Sequence, residues 1–467
     1  MGARARHATA LVVTALLALG LAAPAGAADP IPDPAPAVIG CDRAADRIEV
    51  TVSSVLDPSC TYTAGVDITA ADVTLDCRGA LVQRAGGGIG ILVETPADVD
   101  MAHVTIRNCR VDGFVNSIHL RRAGFNALPA GHEYDHHLDD VNVLDSILTG
   151  SRGVGLYVDG YVTNTTIRHV VVLGAGSDGI YLDAGSRYGR VVENVVAWNG
   201  YRENGPNPEG TVTQFNGVTF RFWGPGREGI AVDGSRDNRI SSNWIAENSA
   251  GGVFLYTNCG EYVHSDPTNW VEHRFGAEDN TVVANLISGG ENGVWIGSRM
   301  AENVYPMDCS DVPYVSGPVQ AITLDRAPHT TVRSNVIANS YYGVRVEDDG
   351  ARVVNNLIGG AGAAHAIIVG TPYRTTVLAH PVTDAIVKGN VATIAGNPSP
   401  YRWVDGVDAL DAARNTALGA PSGFCQAPDV PHGPFVMVYA LAVQDPSGPP
   451  VPKPDFAIPR LGPLAPC

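Results

Sequence analysis

Lysine is nearly missing from this chain: it stands only at Lys388 and Lys453 in 467 residues, so positive charge is almost wholly arginine. Asp+Glu number 48 against Lys+Arg 31, for a formal charge of −17. The sequence therefore has no basic stripe, which argues against a nucleic-acid partner and against adhesion to an acidic membrane surface. Past the N-terminus no apolar run has the length of a transmembrane span. Helical periodicity is nearly absent there too, which argues against helical repeats. No Cys-x-x-Cys or Cys/His cluster has zinc-like spacing, so no metal ligands are assigned. Gly-x-Ser-x-Gly, phosphate-loop, His-Glu-x-x-His and dinucleotide signatures are also missing from any suitable context. No cofactor is required by anything in the sequence.

What is present is globular: 45 % apolar residues, 17 % charged, and enough Gly (53) and Pro (32) for a chain that turns often. Residues 1–27 read as a secretory signal peptide. Arg4 and Arg6 precede an apolar run from Ala8 to Ala23, and Ala25-Gly26-Ala27 supplies the cleavage signal. Losing those two arginines takes the charge from −17 to about −19. A Pro/Ala/Asp linker at 28–36 follows. Eight cysteines in an exported chain suggest disulfides. Sequential pairing gives Cys41–Cys60, Cys77–Cys109, Cys259–Cys309 and Cys425–Cys467. A secreted monomer is expected, with no membrane contact once the leader is removed.

The chain repeats itself. A small residue, then apolar–any–apolar, then usually an acid, recurs as Gly155-Leu156-Tyr157-Val158-Asp159, Gly179-Ile180-Tyr181-Leu182-Asp183 and Gly229-Ile230-Ala231-Val232-Asp233. Gly252-Val253-Phe254-Leu255-Tyr256, Gly293-Val294-Trp295-Ile296-Gly297, Ala321-Ile322-Thr323-Leu324-Asp325 and Gly343-Val344-Arg345-Val346-Glu347 continue the series. Such alternation is a short-strand signal with one face buried. A second phrase, a β-branched residue, two further residues, then Asn and apolar residues, gives Asn194, Asn243, Asn285, Asn335, Asn356 and Asn390. Each fits a tight bend, and a stack of them would let every amide bond the next rung. The spacing is 24 residues from Gly155 to Gly179 and 23 from Gly229 to Gly252. Where it stretches to 40–50, a coil carries a long insertion or a second, degenerate coil is present. Short strands at this period indicate a solenoid rather than a sandwich.

The opening phrases carry a resemblance. Val73-Thr74-Leu75-Asp76-Cys77-Arg78-Gly79, Gly88-Ile89-Gly90-Ile91-Leu92-Val93, Val104-Thr105-Ile106-Arg107-Asn108-Cys109 and Asn116-Ser117-Ile118-His119-Leu120 resemble the first coils of right-handed parallel β-helix proteins. The similarity is to the pectate-lyase-like superfamily and its carbohydrate-binding and sugar-hydrolysing repeat domain, over roughly residues 65 to 395. It implies an all-β solenoid of about ten coils. Residues 37–70 would form an N-terminal cap, 71–397 the β-helix and 398–467 a Pro-rich C-terminal cap. That last segment could also be a small binding domain. The Gly-His-Gly and Arg-x-Lys tripeptides of the polygalacturonase type are absent, so no catalytic residue is carried over from the family.

Function is then read from the outward positions. With both aliphatics of the phrase inward, the residue between them and the acid point out. The outer wall would carry Asp159, Asp183, Asp233, Asp325 and Glu347 in a column beside Tyr157, Tyr181, Phe254 and Trp295. Aromatic faces beside acids suit a sugar chain. Asp183 and Asp233, central and each followed closely by an arginine, form the preferred catalytic pair for glycoside hydrolysis, with a retaining separation if they stand on neighbouring coils and an inverting one if two coils apart. Calcium could occupy the same oxygens instead. A second candidate is the long insertion 259–274 with Tyr262, His264, His273 and Arg274, facing Arg299. There an arginine would neutralise a uronate while His or Tyr moves the proton, as a polysaccharide lyase or epimerase needs. The same residues could equally hold the loop down. A non-catalytic polysaccharide-binding surface protein is the remaining alternative. The run Asp135-His136-His137-Leu138-Asp139-Asp140 reads as a solvated loop.

Overall fold

A computed structural model describes residues 35–443 other than 202–210, 216–217, 224–225, 258–259, 262–273, 298–306, 309–314, 318–319, 323–325, 361–362, 364, 371–380, 395–399, 404–409, 419–424 and 427–439. Its strands form three long parallel sheets. The chain visits them in rotation, so each circuit is one coil of a parallel β-helix. Sheet one has 13 strands, from Ala37–Ile39 to Asp411–Ala413; sheet two has 12, from Thr61–Tyr62 to Thr416–Ala417; sheet three has 13, from Ile48–Val50 to Cys425–Gln426. The stack is longer than the ten coils counted from the repeat phrase. Strands within 37–70 and 401–426 pair in the same three sheets although their sequences do not repeat the phrase.

Alternation explains the packing. In Ile180–Leu182 the outer two residues face a continuous aliphatic core and the middle one faces out. β-branched and leucine side chains stack on their own kind from rung to rung, since parallel register puts like positions opposite: Ile180 pairs with Ile230 and Leu182 with Val232. The bend from sheet one to sheet two is held by asparagine. Asn194 Nδ2 donates to Asn243 Oδ1 at 2.9 Å, and the relay continues through Asn285, Asn335, Asn356 and Asn390 to Asn415. The residue before each bend turns left-handed, as at Glu193 (φ 58°) and Ser242 (φ 58°). Two disulfides, Cys41–Cys60 and Cys77–Cys109, join connections between strands at the N-terminal end. Cys259, Cys309 and Cys467 lie outside the described residues.

One repeat phrase is not a rung. Gln320–Ile322 pairs antiparallel with Val315–Gly317, and sheet three passes directly from Asn292–Ile296 to Tyr342–Val346. Short alternating runs look alike in a hairpin and in a coil, so Ala321 and Ile322 matched the pattern without belonging to it. The stretched periods are accordingly single coils with insertions: Gly179 to Gly229 and Gly293 to Gly343 each span one step of sheet three.

Candidate functional site

The outward column of sheet three runs in register through His119, Tyr157, Tyr181, Ala231, Phe254 and Trp295. Two residues further along each strand lie Asp159, Asp183, Asp233 and Tyr256, of which Asp233 and Tyr256 are ladder partners. At the entry to the strands stand Asp178 and Glu228. The expected open wall of aromatic faces is not there. Tyr181, Phe254, Tyr256 and Trp295 form a second buried cluster with Ala231, and Phe254 and Trp295 are 0 % and 1 % exposed. The rings lie along the ladder and cover it, Phe254 edge-on to Trp295 with centroids 5.6 Å apart. The acids are covered with them: Asp233 is 0 % exposed and Asp159 and Asp183 8 %. Tyr157 and Val154 remain half-buried, so the column is most accessible at Tyr157 and closes toward Trp295.

Buried carboxylates must be hydrogen-bonded. Each tyrosine leans one rung forward to do this. Tyr157 Oη donates to Asp183 Oδ2 at 2.5 Å, and Tyr181 Oη to Asp233 Oδ2 at 2.6 Å. The alanine at position 231 leaves the space Tyr181 crosses. Asp183 Oδ1 accepts from the backbone N–H of Ala184 at 2.7 Å, and Ala184 is held at φ 43°, a strained angle for a residue with a Cβ. Tyr256 Oη donates to Glu228 Oε1 at 2.6 Å, and Arg227 lies 3.8 Å from Asp178. Burial, and then the Asp233 carboxylate, pushes the Tyr181 phenol well above its ordinary pKa; burial and Glu228 do the same for Tyr256. Both therefore stay donors across the neutral range. Further along, Trp295 Nε1 and Arg345 Nε converge on the Glu347 carboxylate at 2.9 and 2.5 Å.

Sequence reasoning missed His119, Asp178 and Glu228. His119 is buried, stacks on Tyr157 with centroids 4.6 Å apart and planes at 15°, and puts Nε2 3.6 Å from Asp159 Oδ2. Neither of its ring nitrogens has a hydrogen-bond partner. It occupies the middle of Ile118-His119-Leu120, but Ser117 and Arg121 replace the small residue and acid of the phrase closely enough only in hindsight of register. Asp178 and Glu228 each precede the phrase's glycine, a signal that alignment of the repeats could have exposed.

Residues 85–305 match the family described as right handed beta helix region. This chain is a right-handed parallel β-helix. Among solved structures it is similar to the mannuronan C-5 epimerase AlgE6 A-module of Azotobacter vinelandii, 16 % identical with a TM-score of 0.47, over 81 % of this chain and 92 % of that one. It is similar also to the Dettilon tailspike protein, 14 % identical at TM-score 0.43, over 81 % and 62 % of the two chains. A third is the catalytic domain of a GH87 alpha-1,3-glucanase, 11 % identical at TM-score 0.40, over 85 % and 63 %. No curated protein matches the sequence.

The long insertions of the β-helix leave from the two edges of sheet three. Residues 124–137, 257–274 and 297–326 follow its strands, and 202–225 precede one, whereas sheets one and two are joined by bends of a few residues. Loops on a rigid scaffold gather where ligands bind, and these insertions flank the face that carries the acid column. Arg274 is committed there: it donates to Glu133 Oε1 at 2.7 Å and to the Leu128 carbonyl at 2.9 Å, tying two insertions together. It is thus a tie between two loops at the side of the acid column. Tyr262, His264, His273, Arg299 and Asp325 lie outside the described residues. Among the described residues, the one metal-sized group of ligands is Cys41, Asp57 and Cys60, whose sulfurs are joined to each other. His136 and His137 pair with Asp100 at 3.5 and 3.2 Å.

Proposed function

We propose that the protein is a secreted carbohydrate-active enzyme that hydrolyses a polysaccharide on the outer face of sheet three. The carrying observation is the ladder of Asp159, Asp183 and Asp233, one carboxylate per rung, with tyrosine hydroxyls fixed on the last two. Adjacent rungs lie about 4.8 Å apart, close to the ~5–5.5 Å separation of the two carboxyl groups in retaining glycosidases. Asp183, which accepts at both oxygens, suits the nucleophile. It attacks the anomeric carbon while Asp233, reached once the rings that cover it in the free protein turn aside for the sugar, gives its proton to the departing glycosidic oxygen. Asp233 then takes a proton from water, whose oxygen displaces Asp183 and leaves a new reducing end. Water is the only co-reactant. Asp159, at the more open end, is placed to accept from hydroxyls of the neighbouring sugar. The two disulfides support an oxidising, extracellular setting, as does the leader-like N-terminal segment.

A second reading has its own observation. His119 stacked on Tyr157 beside Asp159 offers proton-moving groups of the kind a uronate lyase or epimerase uses. The two readings separate experimentally. Under hydrolysis, Asp183→Asn and Asp233→Asn each lower turnover by about 10²-fold or more, because a carboxamide can neither attack nor pass a proton. New reducing ends report it. Under elimination or epimerisation, His119→Ala is a severe change, alongside His273→Ala and Arg299→Ala in the insertions, read by ultraviolet absorbance of unsaturated uronates or by proton exchange from solvent. Full activity in both aspartate variants sinks the hydrolase. Glycan binding without turnover on a broad panel would leave a binding protein.

A further inference from the structure

Sheet two, away from the acid column, has an outward face that is apolar and uncharged. From Ile147–Thr149 to Leu357–Gly359 it comprises seven strands in register. Their middle residues belong to the core, and none of their outward residues is Asp, Glu, Lys or Arg, in a chain whose net charge is −17. The first outward residue of each strand is a large apolar one. Ile147, Trp244, Leu286, Val336 and Leu357 are 41–46 % exposed. Trp198, 51 % exposed, ends the strand beside Trp244, its backbone N–H on the Ala246 carbonyl at 3.2 Å. Tyr201, 52 % exposed, is anchored through its hydroxyl to the Glu247 carbonyl at 3.0 Å. Two tryptophans and a tyrosine thus present rings to solvent around one pair of rungs.

Isolated apolar residues on a surface need no explanation, but a continuous strip does. Six rung spacings make it about 29 Å long, and one residue pair along the strand makes it about 7 Å wide. That footprint, on the order of 200 Å², falls well short of the ~800 Å² per partner of a stable protein–protein interface. Two copies at −17 each would also repel. An anionic polymer gains nothing from a face without cations. Sugar rings, by contrast, carry flat C–H faces that stack on tryptophan and tyrosine and pack on aliphatic side chains. We propose that this strip is a second carbohydrate site, one that holds the protein on a neutral insoluble polysaccharide along the rungs of sheet two while sheet three acts elsewhere on the polymer.

The test is depletion of the full protein from solution by microcrystalline cellulose and by chitin powder, in low and high salt. The proposal expects salt-insensitive partition to at least one solid. Trp244→Ala and Trp198→Ala should each weaken it about tenfold, and Leu286→Ser with Val336→Ser should weaken it further, all with unchanged melting temperature. Should the serine pair lower stability, the single tryptophan variants carry the test, since both rings project into solvent. No depletion by either solid overturns the proposal, and so does equal depletion of the tryptophan variants. A concentration-dependent dimer abolished by Trp244→Ala assigns the strip to a second copy and overturns it as well. The outcome is separable from the catalytic reading. Hydrolysis of a soluble polymer without adsorption removes only this site, and adsorption without turnover removes only the other.

Discussion

Tyr181 shows how a side chain in this ladder is given its task by its neighbours. Its ring crosses above Ala231 because that rung has no ring of its own, and its hydroxyl reaches the Asp233 carboxylate one coil on. Removing the hydroxyl keeps the packing and deletes one donor to a buried carboxylate, which costs about 1–3 kcal/mol. Tyr181→Phe is therefore expected to lower the melting temperature by a few degrees. It should also reduce kcat at least tenfold with little change in KM, since the lost contact orients a reacting group rather than the sugar. Calorimetry and steady-state kinetics read the two effects separately. Unchanged kcat would mean that Asp233 does not take part in the chemistry.

At the level of elements, the asparagine bend does what the hydrophobic core cannot: it fixes register between coils. Asn335 is joined to its neighbours on both sides. Its Nδ2 donates to Asn356 Oδ1 and to the Val282 carbonyl, and its Oδ1 accepts from the backbone N–H and Nδ2 of Asn285. Asn335→Ala strands the buried Asn285 N–H as well as losing its own bonds, a cost on the order of 3 kcal/mol. Asn415, the last of the relay, has no asparagine beyond it among the described residues, so Asn415→Ala should cost less. Denaturant titration of the two variants checks the ordering. Equal midpoints would show that the relay is not what holds the bend. Such bends were legible in sequence because only a short amide both tolerates a turn and bonds along the stack. The hairpin at Gln320–Ile322 was misread as a rung for the converse reason: alternation names a strand but not its partner.

The whole molecule carries several phenols out of water, and this gives it a pH signature. Burial raises Tyr181 and Tyr256 well above the ordinary value, and burial is also the first cause of the upward shifts at Tyr134, Tyr342 and Tyr401. In the unfolded chain these groups ionise near pH 10. Above that pH the unfolded state sheds protons that the folded state keeps, so the unfolded state gains. The phenols' contribution to stability is intact below about pH 10 and is lost progressively as pH rises toward their folded values. Melting temperatures taken from pH 8 to 11.5 should be level at first and then fall steeply, with tyrosinate absorbance appearing only as the protein unfolds. A level curve throughout would contradict the burial of these rings.

Sequence alone determined the all-β coil, because a period near 23 residues, period-two alternation and recurrent asparagine bends are local patterns, each written within a few residues of itself. It also supplied Cys41–Cys60 and Cys77–Cys109, and named Asp159, Asp183, Asp233 and Tyr157 as outward neighbours. Only the tertiary structure decided which rungs touch. That choice excluded the Ala321 phrase from sheet three and showed strands before 71 and after 397 pairing into the stack. It turned the aromatic wall into a closed cluster and brought in His119, from a coil that lacks the acid, and Asp178 and Glu228, from the position just before the phrase. Contact between rungs depends on where a 50-residue excursion returns to the ladder. That is settled by packing of the whole coil, a property no window of the sequence contains.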